Sequence, residues 1–460
     1  MLDLVIKNCK AYVEGAFQEL SVGVKDGKIA AITTDDTMPE AEKVIDLKGQ
    51  YLIPGTIDTH VHFRDPGRSE RETFYTGSMC AAAGGVTTVM EHPISMPPQY
   101  NKEILDHRIE VADCQSVVDY CFFGAAGAQY PEEITKLAKE GIVAYKTFLH
   151  AAPEGREKEF VGLTMANDAE VLTGFTEVAK TGLIVTAHAE NNDMIQANIK
   201  RLRAEGKVGP LDHAASRPPI SEYECVEKLL TIAKATGTRL AFAHISTPEA
   251  MEMIKQAKYE GQDVYLETCP HYLLLDESTL ERLGTFAKCN PPLRKKEEVE
   301  KLWKYVNDGS VDYIGSDHGP FLLSEKETGY EDIFKAPAGF PGIDLRLPLM
   351  LDAAQKGKLS IDRVIELLVT NPAKIFKLFP QKGAIRIGSD ADFVGFTLDE
   401  GTVVKKENSY SKAKEIARCY DGWKLDCKLL YTIVRGRVIM KDGVVDEKAK
   451  AYGELVKPVK

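Results

Sequence analysis

Four histidines, one lysine and one aspartate supply the side chains from which a metal-dependent hydrolysis can be built. His60 and His62 close the run from Leu52 to His62 at positions i and i+2, so on a strand both point to one face and can grip a cation through neutral imidazoles. His188 ends Leu183-Ile-Val-Thr-Ala-His188, His244 ends Leu240-Ala-Phe-Ala-His244, and Asp317 follows Tyr313-Ile-Gly-Ser. A carboxylate at 317 can bind a metal by one oxygen and accept a proton on the other. Lys146, at the end of Ile142-Val-Ala-Tyr-Lys146, is the odd member, because an ammonium has no lone pair to offer a cation. Burial can depress a lysine pKa and leave a nucleophilic amine. Such an amine can capture carbon dioxide, and the resulting carbamate is an anionic ligand with two oxygens. Taken singly, Lys146 reads as a solvated strand-end lysine and Asp317 as a loop cap.

The common placement of these residues, each just after a strand-like apolar run, points to the elements that must hold them. In a β/α barrel the C-terminal strand ends converge on one mouth. Further runs at Thr87–Glu91, Val118–Phe123 and Val264–Glu267 alternate with helical stretches at 168–180, 222–235, 248–259 and 296–306. Both chain ends read instead as short strands with turn signals. At the start they are Leu4–Ile6, Leu20–Val24 and Ile29–Ile32, with turns at Asp26-Gly27 and Lys48-Gly49; near the end they are Asp392–Phe396, Leu429–Val434 and Arg437–Met440. The expected architecture is α/β: a (β/α)8 TIM barrel over 53–384, with a small β-sandwich domain built from 1–52 and 385–460.

The 460 residues are 44 % apolar and 28 % charged, with a formal net charge of −11. That balance offers no basic surface for nucleic acid or anionic lipid. Nine cysteines without Cys-x-x-Cys spacing fit reduced thiols better than disulfides or a sulfur-ligated zinc site. The start of the chain lacks a basic region followed by an apolar core, and no apolar run approaches the ~18 residues a membrane span needs. A cytoplasmic protein without membrane or nucleic-acid partners is expected.

The same residues, with the segments around them, resemble the cyclic amidohydrolases of the amidohydrolase superfamily, the hydantoinase, dihydropyrimidinase, allantoinase and dihydroorotase group. The likeness runs nearly end to end. It includes Pro54-Gly-Thr-Ile-Asp-Thr-His-Val-His62, Gly84-Gly-Val-Thr-Thr88, Tyr145-Lys-Thr-Phe148, Ala187-His-Ala-Glu190, Ala215-Ser-Arg-Pro218, Ala243-His-Ile-Ser246, Pro291-Pro-Leu-Arg294, Gly315-Ser-Asp-His318 and Gly388-Ser-Asp-Ala-Asp-Phe393. The resemblance implies two divalent metal ions: His60 and His62 on the more buried one, His188 and His244 on the other. Lys146 would bridge them as N6-carboxylysine, and Asp317 would complete the first site and carry the proton. Zinc suits imidazole and oxygen ligands best. The implied reaction is attack of a metal-activated water on a ring carbonyl, opening a cyclic ureide to an N-carbamoyl acid. A homo-oligomer, commonly a tetramer, is implied as well.

The segments point to different branches of that group. Arg64 sits where dihydroorotases carry an arginine for the substrate carboxylate, yet Pro93-Ile94-Ser95 replaces their Pro-Asn-Thr. Asp65-Pro-Gly-Arg68 and Glu267-Thr-Cys-Pro-His-Tyr272 are similar to allantoinase, whereas Pro93-Ile-Ser-Met-Pro-Pro98, Leu347-Pro-Leu-Met-Leu351 and Phe379-Pro-Gln-Lys-Gly383 are similar to an L-selective hydantoinase. The substrate expected is a five-membered ureide, hydantoin or allantoin, with dihydroorotase or dihydropyrimidinase activity as the alternative. An inactive scaffold of the same fold is the alternative of another class. By position Asn290 matches a polar contact to the ring. Glu70, Arg71 and Glu72 read as a solvated charge run.

Overall fold

The computed structural model describes residues 1–153 and 155–459. The chain opens with β1 (Leu2–Val13), β2 (Ala16–Lys25), β3 (Lys28–Thr33) and β4 (Ala41–Pro54). β1 pairs antiparallel with β2 and parallel with β4. β4 passes straight through Lys48-Gly49, where a turn was expected. Both residues take left-handed φ, 52° and 81°, and the register slips between Lys7 and Cys9 on β1. The pair therefore makes a bulge and not a chain reversal.

Eight strands follow: β5 (Thr56–Val61), β6 (Val86–Glu91), β7 (Asp119–Ala125), β8 (Ala144–Phe148), β9 (Ile184–His188), β10 (Arg239–Phe242), β11 (Val264–Thr268) and β12 (Tyr313–Ile314). They lie side by side in chain order, each parallel to the next. The barrel closes where Val61 bridges His318 in parallel and the His62 N–H donates to the His318 carbonyl at 3.1 Å. Helices separate the strands, among them Asp168–Ala179, Pro219–Thr236, Pro248–Tyr259 and Lys296–Asn307, close to the expected spans. Thr73, Asn101 and Asn167 start three of the helices by accepting backbone N–H bonds on their side chains. β5 to β9 are buried along their whole lengths, since helices cover the outside and side chains fill the inside; this is why they lack the regular apolar–polar alternation of a half-exposed strand. Ile57, Met90, Phe123, Ile184 and Tyr313 pack with Phe376 and Leu378 to form the floor beneath the mouth.

The chain then returns to the first sheet. β13 (Phe393–Thr397) pairs antiparallel with β4, and after the small pair β14 (Thr402–Val403) and β15 (Lys424–Leu425) come β16 (Lys428–Val434), β17 (Arg437–Lys441) and β18 (Val444–Val445). The result is one eight-stranded sheet, ordered β18-β17-β16-β13-β4-β1-β2-β3. It curls until β3 meets the approach to β13, where the Ile29 N–H donates to Ser389 O at 3.0 Å. Leu4, Ile6, Val22, Leu47, Leu52, Phe393 and Ile433 fill the small core this encloses. Lys382 ties it to the barrel, its buried ammonium lying 2.5, 2.9 and 2.6 Å from Asp119, Asp390 and Asp392. All nine cysteines are free and eight are buried. No helix among the described residues is long and apolar enough to cross a membrane.

Candidate metal centre

β5 delivers its two histidines together. The His60 and His62 rings stand 5.0 Å apart, and their Nε2 atoms lie 3.4 and 3.2 Å from Asp317 Oδ1. Asp317 reaches them from beyond β12, which ends at Ile314, so the loop itself carries the expected ligand. Gly315 permits that approach: a Cβ there would lie 2.8 Å from His60 Cβ and collide with Glu267 Oε1. Asp317, His244 and Arg64 all adopt left-handed backbone, with φ of 50°, 42° and 60°. That backbone region is disfavoured for residues with a Cβ, so at these three positions the surrounding packing must hold it.

Across the mouth, His188 Nδ1 and His244 Nε2 face each other at 3.1 Å. Two carboxylates decide which ring nitrogens are free. Glu267 Oε2 lies 2.9 Å from His60 Nδ1, and Glu190 Oε2 lies 2.8 Å from His188 Nε2. Burial pushes the Glu267 pKa up to about 8, with Lys146 opposing, but Oε2 also accepts the His244 N–H at 3.1 Å and so acts as an acceptor toward His60. Each acid thus fixes the proton on the nitrogen it touches, leaving His60 Nε2 and His188 Nδ1 as lone-pair donors. Arg217 pairs in turn with Glu190. Burial lowers the pKa of His60, His188 and His244, which keeps the imidazoles neutral and able to ligate.

Lys146 is fully buried on β8, and its Nζ has no hydrogen-bond partner. Burial brings its pKa down to about 8, with Glu267 and Asp317 opposing the shift. A neutral amine is then within reach near physiological pH. His60 Nε2, also buried, likewise has no hydrogen-bond partner. All six expected ligands line one cavity of about 140 Å³, together with Arg64, Asn290, Phe148 and Phe160.

Arg64 is buried, 4.6 Å over the Phe321 ring and 3.5 Å from Glu159, and its Nε and one terminal nitrogen make no hydrogen bond. Burial, then the nearby Arg156 and Arg71, pull its pKa down to about 9. Asn290 also presents a buried Oδ1 without a partner. The solvated reading of Glu70 to Glu72 is corrected for two of the three. Arg71 is buried between Glu159 and Glu325, and the buried Glu72 accepts from Ser411 and from the Lys412 backbone. Their partners lie 88 to 340 positions away in the chain, so local composition could not show the pairing.

Three residues of the centre escaped the sequence reading. His92 follows β6 and stacks on His60 with ring centroids 3.9 Å apart, and Glu267 lies on β11. Both close strand runs that the sequence had located, so the strand-end rule would have found them. Glu190 lies two residues beyond His188, inside a segment quoted for its family likeness.

The model of the Amidohydrolase family matches residues 51–439. The chain belongs to the amidohydrolase family. An L-hydantoinase from Paenarthrobacter aurescens is 35 % identical to this amidohydrolase over 458 residues, covering 99 % of this chain and 98 % of that protein. An allantoinase from Escherichia coli O1:K1 / APEC is 34 % identical over 440 residues, 95 % of each chain. Among solved structures, an L-hydantoinase (dihydropyrimidinase) from Arthrobacter aurescens superposes with a TM-score of 0.94 at 35 % identity, covering 99 % of this amidohydrolase and 100 % of that chain.

Proposed function

We propose that this amidohydrolase opens a five-membered cyclic ureide, hydantoin or allantoin in type, to an N-carbamoyl amino acid or allantoate, using two divalent cations. The observation that carries the reading is the convergence of His60, His62, Lys146, His188, His244 and Asp317 on one cavity. The donor set fits the ions. His60, His62 and Asp317 would hold one, His188 and His244 the other, and a carbamate on the partnerless Lys146 would lie between them. Zinc is the ion such nitrogen and oxygen donors suit best. When bound, the pair supplies the Lewis acidity that brings a water pKa toward neutral and polarises a carbonyl.

The protein's own groups do the rest. Asp317 turns Oδ1 to the histidines, and its other oxygen is free to take a proton from the attacking water and return it to the leaving ring nitrogen. Glu267 and Glu190 keep His60 and His188 in the ligating tautomer. Asn290 Oδ1 offers an acceptor for a ring N–H, and Phe148 and Phe160 wall the ring from bulk water.

Metal analysis with a substrate panel tests the reading. About two equivalents of metal per chain and turnover of hydantoins or allantoin are expected, with dihydrouracil and dihydroorotate slower. A chain that takes up no metal on reconstitution would be a scaffold, and a metal-loaded chain preferring dihydroorotate would overturn the substrate class.

A further inference from the structure

Resting on the ureide reading above, one feature of the mouth is left unexplained, because a cyclic ureide ring carries no charge. The metal cavity opens into a second cavity of about 790 Å³, and Arg156, Arg217 and Asn290 line both. Arg68, Arg71, Arg203 and two lysines also line the larger one, against a single carboxylate, Glu325, among the described residues. On a chain with a net charge of −11, this concentration of cations is local.

Ion pairing within the protein uses up only part of it: Arg203 pairs with Asp332 at 2.9 Å, and the buried Lys288 donates to the Ile333 carbonyl. Arg156, Arg68, Arg71 and Arg64 all converge on the buried Glu159, at 2.6, 3.3, 3.4 and 3.5 Å. Glu325 adds a second carboxylate for Arg71, and Glu70, half exposed at the rim, one for Arg68. Three described carboxylates thus face four guanidinium groups. Arg64 keeps its Nε without an acceptor and reaches Glu159 with one terminal nitrogen only at 3.5 Å, and Arg217, though paired with Glu190, keeps its Nε unpartnered. Burying guanidinium N–H groups without acceptors is costly, and an oxyanion is the group that satisfies them best. The mutual repulsion of Arg156, Arg71 and Arg64 agrees with a surplus of positive charge.

We infer that the enzyme selects five-membered ureides whose ring substituent ends in a carboxylate, with the ring at the metal centre and the substituent directed at Arg156 and Arg217. The substrate class is a 5-(carboxyalkyl)hydantoin. Water adds across one ring amide: the C–N bond breaks, a C–O bond forms, the nitrogen takes the proton, and the product is an N-carbamoyl dicarboxylate. The substituent carboxylate is unchanged throughout.

The test compares 5-(2-carboxyethyl)hydantoin with its near-isosteric amide, 5-(2-carbamoylethyl)hydantoin, on the metal-loaded enzyme. One charged hydrogen bond predicts kcat/KM about tenfold or more in favour of the acid. In Arg156→Gln the acid-to-amide ratio should fall toward one, while Arg156→Lys should retain much of it. Added salt should shrink the ratio as well. A ratio near one in the native enzyme, or a ratio untouched by Arg156→Gln in a folded, metal-loaded variant, overturns the inference and leaves the ureide reading standing. If neither compound is opened, nor hydantoin nor allantoin, with metal bound, the ureide reading itself fails.

Discussion

Replacing Glu190 by glutamine changes one buried group and should weaken one metal of the pair selectively. The carboxylate lies 2.8 Å from His188 Nε2, is fully enclosed, and is held from behind by Arg217. Its work is to keep the His188 proton on Nε2, so that Nδ1 faces His244 Nε2 with a lone pair. Glutamine can still accept one bond from its carbonyl oxygen. It no longer carries the charge that raises imidazole basicity, and its amide can turn to donate, which favours the wrong tautomer. Loss of a carboxylate behind a metal-bound histidine costs roughly 10- to 100-fold in metal affinity, or about 1.4 to 2.8 kcal/mol. The His60, His62 and Asp317 group has its own carboxylate, Glu267, and should be spared. Chelator titration followed by metal analysis should therefore show one equivalent released earlier than in the parent protein, with the second unchanged. Equal weakening of both equivalents, or no weakening of either, would refute the assignment of Glu190 as the residue that orients His188.

Three further outcomes are expected. Asp317→Asn should fold and bind metal but lose about 10² to 10⁴ in kcat, the usual share of a general acid–base group; parental turnover with metal bound rules out the proton-carrier role. Lys146→Ala should lose metal and recover part of both metal content and activity with a short carboxylic acid; normal metal content without rescue refutes the bridge. Lys326 is wholly buried, its Nζ 2.9 Å from the Pro337 carbonyl, and burial lowers its pKa to about 7. Between pH 7 and 10.5 the unfolded chain binds a proton there that the folded chain lacks, so this group makes stability rise with pH in that window, by up to about 1.4 kcal/mol per unit. Lys326→Met should remove that slope in denaturant titrations at pH 7 to 9, and an unchanged slope refutes the assignment.

The barrel, and the meeting of six side chains in one cavity at its mouth, were legible because each of the six ends or closely follows a buried strand run, as at Leu183–His188 and Ile142–Lys146. Pairings between side chains were less accessible. Glu72 meets Ser411 across 339 positions, and Arg71 meets Glu325 across 254. Only closure of the barrel and return of the chain bring such pairs together, so three adjacent charges read as solvent-facing. β4 was hidden for a local reason: Lys48-Gly49 carries a turn signature, but the strand absorbs it as a bulge against β1. Glu267 ends the run Val264–Glu267, but its contact with His60 depends on which barrel strands face each other across the mouth.

The barrel is completed where the His62 amide meets the His318 carbonyl, flanked by the very residues that would grip a cation. Opening of this seam and loading of the proposed cation would therefore be coupled. An ion held by His60, His62 and Asp317 would rivet the first stave to the last, and hydrogen exchange at the His62 amide should then slow as the site fills.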